Sequence, residues 1–242
     1  MAALIWRFSL PRLMVHVEGE TEETFVRELL APHLQSYGYS AVVAKLLGNA
    51  RNRSNRGRIR SWPTVRDDIV LRLNGDPGSY ATTLVDYYAL PAGTGLGWPN
   101  RHVTAALPYH ERGIRVEEGM EAVINSAFAT TSRPTRFVGG VIMHEFEALL
   151  FSDCTAFAEG IGQPKLAASF QSIRDQFGNP EEINDSPLTA PSKRVTQLVS
   201  GYQKPIYGNV GALHIGLPRM RAECPHFNRW LTRLEGLICD PL

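Results

Sequence analysis

Residues 13–30, LMVHVEGETEETFVRELL, decide how this chain folds. An apolar run containing the β-branched Val15 and Val17 ends at Glu18 and Gly19, after which Phe25, Val26, Leu29, Leu30 and Leu34 recur at helical spacing. The stretch reads as strand, tight turn, helix. Glu18, Glu20, Glu22 and Glu23 crowd around that turn, and position separates them. Thr21 stands where an N-cap belongs, and acids in a first helical turn gain roughly 0.3–1 kcal/mol each from the helix dipole. Glu23 is accordingly structural and Glu22 is left open. Glu18, which closes the strand just before a glycine, is the candidate for chemistry.

The same alternation continues downstream. Ser40–Leu47 reads as a second strand, and Thr64–Leu73 as a helix with Val65, Ile69, Val70 and Leu73 on one face. TTLVDYYALP reads as a strand through Val85 that stops near Asp86 and is closed by Pro91, and the Gly- and Pro-rich residues 92–100 as a loop. A helix is expected from Val116 to Phe128, followed by RFVGGVIMHEFEALLF, a strand passing into a helix. Strands alternating with helices predict an α/β fold whose mainly parallel sheet is flanked by helices. From Asp153 the character changes to helical segments around 165–177, 192–200 and 223–238, joined by loops rich in Pro, Gly and Asn. The expected organisation is an α/β core over residues 1–153 and a mostly helical C-terminal extension over 154–242, packed on it as one structural unit.

Composition narrows the class. The 242 residues suffice to bury one large core, and 43% hydrophobic with 20% charged residues is a globular balance. A formal net charge of +1 gives no bulk argument for a nucleic-acid, membrane or acidic partner, so any such case rests on local clusters. Cys154, Cys224 and Cys239 lack CxxC spacing and supply no disulfide framework, which suits a reducing, cytoplasmic compartment. The N-terminal MAALIWRFSLPRL is broken by Arg7, Pro11 and Arg12 and does not read as a signal peptide. No run approaches the length of a membrane span.

In an open parallel sheet, ligands gather beyond the carboxyl ends of the strands. Acids fall at three such ends: Glu18, Asp86, and the pair Glu145 and Glu147. A single acid there is an ordinary solvated loop residue, but several brought together form a hard oxygen site suited to Mg2+ or Mn2+. Such a site would polarise a phosphoryl group as a phosphodiester breaks. His144, adjacent to Glu145, would orient a carboxylate.

Two basic segments bear on the same chemistry. ARNRSNRGRIRSW places Arg51, Arg53, Arg56, Arg58 and Arg60 within ten residues without an acid, which reads either as a grip on a nucleic-acid backbone or as a solvated basic loop. Trp62 beside it would stack on a base or anchor the loop to the core. TAPSKRVTQL reads as a helix start with Lys193 and Arg194 in its first turn, where a bound phosphate would offset their conflict with the dipole. Cys224 and His226 lack a second ligand pair and read as core residues.

The stretch VEGETEETF resembles the first motif of Toprim-like domains, the metal-dependent fold of topoisomerases, primases and OLD-type defence nucleases. The resemblance implies that Glu18 is a general acid/base and Asp86 the first of an Asp-x-Asp magnesium pair. The second position of that pair is Tyr88, so Glu145 and Glu147 would have to replace the missing carboxylate. VDYYALP, HEFEALLFSD, EEINDSPLTAPSKR, GYQKPIYG and IGLPRMRAECPHFNRWL extend the likeness to a bacterial domain-of-unknown-function family, number four-two-seven-six, grouped with the Toprim-like proteins. Members of that family are often encoded beside an ABC/SMC-like ATPase, which implies a two-component system of phage defence or DNA maintenance. The expectation is a Mg-dependent nuclease or phosphoryl-transfer subunit. The competing expectation, prompted by Tyr88, is a non-catalytic subunit that docks and regulates the ATPase.

Overall fold

The computed structural model describes residues 10–47, 59–93, 95–128, 136–183, 186 and 188–238. β1 (Arg12–Val17) leads through Glu18 and Gly19 into α1 (Glu20–Phe25), which continues through a π turn at Val26–Leu30 into α2 (Ala31–Ser36). β2 (Ala41–Leu46), α3 (Trp62–Gly75), β3 (Ser79–Asp86) and α4 (Tyr109–Ser126) follow. Two short strands, β4 (Phe137–Val138) and β5 (Val141–Ile142), complete a five-stranded sheet in the order β2-β1-β3-β4, with β5 also paired to β3. Every pairing among the described residues is parallel. The described residues after β5 form helices joined by turns: a 3-10 segment Phe146–Ser152, then α5 (Cys154–Gly160), α6 (Ala167–Arg174), α7 (Pro191–Leu198), α8 (Asn209–Ile215), α9 (Leu217–Glu223) and α10 (Pro225–Gly236). The protein is thus a mixed α/β fold with a parallel sheet and a mostly helical C-terminal region.

β1 lies inside the sheet, so both of its faces are covered. The period of two sends Leu13, Val15 and Val17 into one apolar cluster with α1, α2 and the C-terminal helices. A second cluster, holding Val65, Ile69, Val85, Val116 and Met120, fills the opposite face under α3 and α4. Phe25, Phe146, Phe227 and Trp230 knit the first cluster across both parts of the chain. Residues 154–238 therefore complete the same core that β1 begins. On the other face Asp68 ties α3 to the sheet, accepting from His16 Nε2 and Arg72 Nε at 3.2 Å each and from Lys45 Nζ. The His16 hydrogen bond, aided by both cations, holds the Asp68 carboxyl below the ordinary carboxylate range, although burial opposes this.

The strand expected in RFVGGVIMH is split in two at Gly139 and Gly140. A Cβ on Gly140 would lie 2.2 Å from both the Thr83 carbonyl oxygen and Trp230 Nε1, so the backbone passes through a space no side chain fits. The Thr83 hydroxyl donates to the Gly140 carbonyl at 2.8 Å and accepts from Gly140 N at 3.0 Å, replacing ladder bonds. α4 begins at Tyr109, seven residues before the expected start at Val116, and the segment after β5 is a 3-10 helix. Trp62 is buried against Trp98 with ring centroids 5.1 Å apart, so it anchors α3 to the core.

Candidate active site

β1 connects to β2 on one side of the sheet, and β3 lies on its other side. The strand order therefore reverses about β1 and β3, and their carboxyl ends flank the crevice where open α/β sheets bind ligands. Val17 pairs with Leu84, and Asp86 with Ile142, so Glu18, Asp86 and the residues after Met143 emerge side by side. The 3-10 turn after Glu145 adds Glu147, which is 1% exposed. The first turn of α1 adds Glu22, which is 3% exposed.

At the meeting point of these acids stands Lys204, carried by a short π-helical turn, Lys204–Gly208, more than one hundred residues downstream of Asp86. Its ammonium lies 3.2 Å from Asp86 Oδ2, 3.2 Å from Glu147 Oε2 and 3.4 Å from Glu22 Oε1. Burial disfavours its charge, yet Asp86, Glu147 and Glu22 together hold its pKa well above the usual lysine value. Glu22 is fixed by a second contact, Gly19 N donating to its Oε2 at 3.1 Å.

One ammonium does not neutralise the group. Burial, reinforced by repulsion from Glu22, pushes the Glu18 carboxyl up to about 7 against the opposing pull of Lys204 and the Asp86 backbone N–H. Burial likewise raises Asp86 and Glu147, each against the attraction of Lys204. Glu18 Oε2, Asp86 Oδ1 and both carboxylate oxygens of Glu147 are buried with no hydrogen-bond partner, Glu147 Oε2 meeting Lys204 only as an ion pair. A buried acceptor without a partner costs about 1–3 kcal/mol, so the centre is built to receive a proton, a cation or a donor.

Glu145 points elsewhere. Its Oε2 accepts from Ser192 N at 3.0 Å, so this acid supplies the negative charge at the start of α7. It faces the helix start where a phosphate was expected from Lys193 and Arg194. Lys193 is exposed, while Arg194 donates to the Thr189 carbonyl at 3.0 Å and covers the Phe177 ring at 5.2 Å. His144, 1% exposed, adopts the left-handed backbone (φ 64°) and stacks on Tyr88 at 5.0 Å. Such a conformation in a non-glycine residue costs on the order of 1–2 kcal/mol and clusters at functional sites. Tyr88 thus packs on the residue that precedes the acidic turn.

Of the arginine run, Arg51, Arg53, Arg56 and Arg58 lie outside the described residues. Arg60 lines a cleft of about 470 Å³ with Lys45, Thr64, Asp67 and Asp68 beside β2 and α3. Cys224 meets the Ser152 hydroxyl at 3.3 Å, and His226 pairs with Glu117 at 2.9 Å, both in the interior.

Sequence reasoning singled out Glu18, Asp86 and Glu147, and these meet. It left Glu22 open and missed Lys204. The available signal was GYQKPIYG, where a lone lysine sits among aromatic, aliphatic and small residues, a setting that foretells burial and a compensating partner.

The described chain is therefore an α/β protein with an acidic centre, only partly compensated by Lys204, at the sheet's reversal point. It belongs to the family described as Domain of unknown function (DUF4276), whose model matches residues 17–235. No curated protein and no solved structure matches it. Among the described residues, no helix is long and apolar enough to cross a membrane. Nor, among them, do three His, Cys, Asp or Glu side chains close on one ion.

Proposed function

We propose that the protein is a Toprim-like, Mg2+- or Mn2+-dependent phosphodiester hydrolase, a nuclease subunit acting with an ATPase in phage defence or DNA maintenance. The observation that carries this reading is the buried excess of carboxylates around Lys204, with orphaned oxygens on Glu18, Asp86 and Glu147. The donors are all oxygens and fit a hard divalent ion. Magnesium is commonly held by only one or two carboxylates and completed by water and phosphate oxygens, so a preformed triad of ligands is not required.

Asp86 and Glu147 would hold the ion. When bound, it would neutralise charge on the phosphoryl oxygens. Glu18, with its pKa of about 7, is suited to take and return a proton at Oε2 near neutral pH. Lys204 keeps Asp86 and Glu147 in place and contributes positive charge next to the phosphate. Arg51, Arg53, Arg56, Arg58 and Arg60 would contact the nucleic-acid backbone together with Lys193 and Arg194. Purified protein with Mg2+ or Mn2+ is expected to cut DNA or RNA, and Glu18→Gln to slow cutting by about 10²-fold or more. Undiminished cutting by that variant would sink the assignment.

A second reading, a non-catalytic subunit that docks and regulates an ATPase, is favoured by Tyr88 at the expected second aspartate and its stacking on His144. ATPase association that survives Asp86→Asn, with no divalent-ion binding by calorimetry, would select it.

A further inference from the structure

Asp86 and Glu147 each use their oxygens unequally. Asp86 Oδ2 accepts from the Lys204 ammonium at 3.2 Å and Glu147 Oε2 ion-pairs with it at 3.2 Å, whereas Asp86 Oδ1 and Glu147 Oε1 have no such cation and, with Glu147 Oε2, are buried without a hydrogen-bond partner. A carboxylate that serves a cation on one oxygen and leaves the other orphaned has the form of a bridge between two cation positions. In two-metal hydrolytic centres such bridges span ions about 3.5–4 Å apart.

From this asymmetry we propose that Lys204 is the resident cation of a two-position centre: its ammonium permanently fills one position, so that the protein takes a single divalent ion on Asp86 Oδ1 and Glu147 Oε1. The inference rests on the metal-dependent reading above and specifies its stoichiometry.

Three features support it. Lys204 also engages Glu22 Oε1 at 3.4 Å, so three carboxylates converge on the ammonium as they would on an ion. Its contacts are of hydrogen-bond length, whereas magnesium–oxygen bonds are about 2.0–2.1 Å, so Asp86, Glu147 and Glu22 are spaced about the ammonium for an N–H donor and do not close on a metal at that position. This accounts for the lack of a three-ligand group among the described residues. The Lys204 side chain approaches from the C-terminal half over the Phe146 ring, its ammonium 5.7 Å from the centroid, a contact that favours a fixed cation there.

Stoichiometry decides the matter. Mn2+ is titrated into the full chain at pH 7.5, with free Mn2+ followed by electron paramagnetic resonance and bound heat by calorimetry. The wild type and Lys204→Arg, which keeps the charge, are expected to bind one ion, and Lys204→Met to bind two. Two ions in the wild type or in Lys204→Arg, or one in folded Lys204→Met, would overturn the inference while leaving a metal-dependent centre intact. No binding by any of the three proteins would overturn both. Circular dichroism establishes which variants are folded; if Lys204→Met is not, the counts for the wild type and Lys204→Arg still decide.

Discussion

Glu18, like Asp86 and Glu147, holds its proton more tightly than an exposed acid does. Its carboxyl has an ordinary value of 4.5 and is raised to about 7 in the folded protein. A raised pKa means that the folded state binds the proton more tightly, so this contribution is fully present below pH 4.5 and is lost as pH rises through 7. Metal-free wild type is therefore expected to lose thermal stability between pH 5 and 8 relative to Glu18→Gln. At 1.36 kcal/mol per unit the gap is on the order of 2–3 kcal/mol at pH 8 and closes near pH 5. Melting curves of the two proteins check this, and parallel curves across that range would contradict it. Burial lowers the His226 pKa, but Glu117 and Glu181 outweigh burial and raise it above the ordinary histidine value. His226 is common to both proteins and cancels in the difference.

α10 illustrates what local pattern reveals and what it hides. Its periodicity in ECPHFNRWL was legible, and the helix falls within the expected 223–238. Its cap was not, because the acceptor comes from a different segment: Glu181, 2% exposed, takes His226 N at 2.8 Å and Phe227 N at 2.9 Å. Glu181→Ala would strand two buried donors and is expected to lower the unfolding free energy by about 2–4 kcal/mol, measured by urea titration with an unchanged slope. The same contrast runs through the centre. β1, β3 and their terminal acids were readable because hydrophobic runs end in Gly19 after β1 and in Pro91 beyond β3. Lys204 was not, because a π turn of five residues carries no periodic signal and the partners of a buried lysine are set by tertiary packing. α5, α8 and α9, each of seven residues, were missed for the first of these reasons.

In the molecule as a whole, the C-terminal helices are part of the core that covers β1. Trp230 Nε1 donates to the Thr82 hydroxyl at 2.9 Å, reaching from α10 to the middle of the sheet, and Tyr39 donates to the Leu234 carbonyl at 2.9 Å. The division at residue 153 thus marks a change in element type within shared packing. Residues 1–153 expressed alone are expected to lack a cooperative thermal transition, since Leu13, Val15, Val17 and Phe25 would lose their cover. A sharp melt of that fragment by circular dichroism would show two independently folding units.

The long sequence separation between the acids and Lys204 also orders events during synthesis. Translation delivers Glu18, Glu22, Asp86 and Glu147 well before Lys204, at about 5–20 residues per second. For those seconds the nascent chain carries a set of mutually repelling carboxylates with no ammonium to gather them. The centre is consequently assembled late, and an unfinished chain released at a premature stop lacks the group that draws it together.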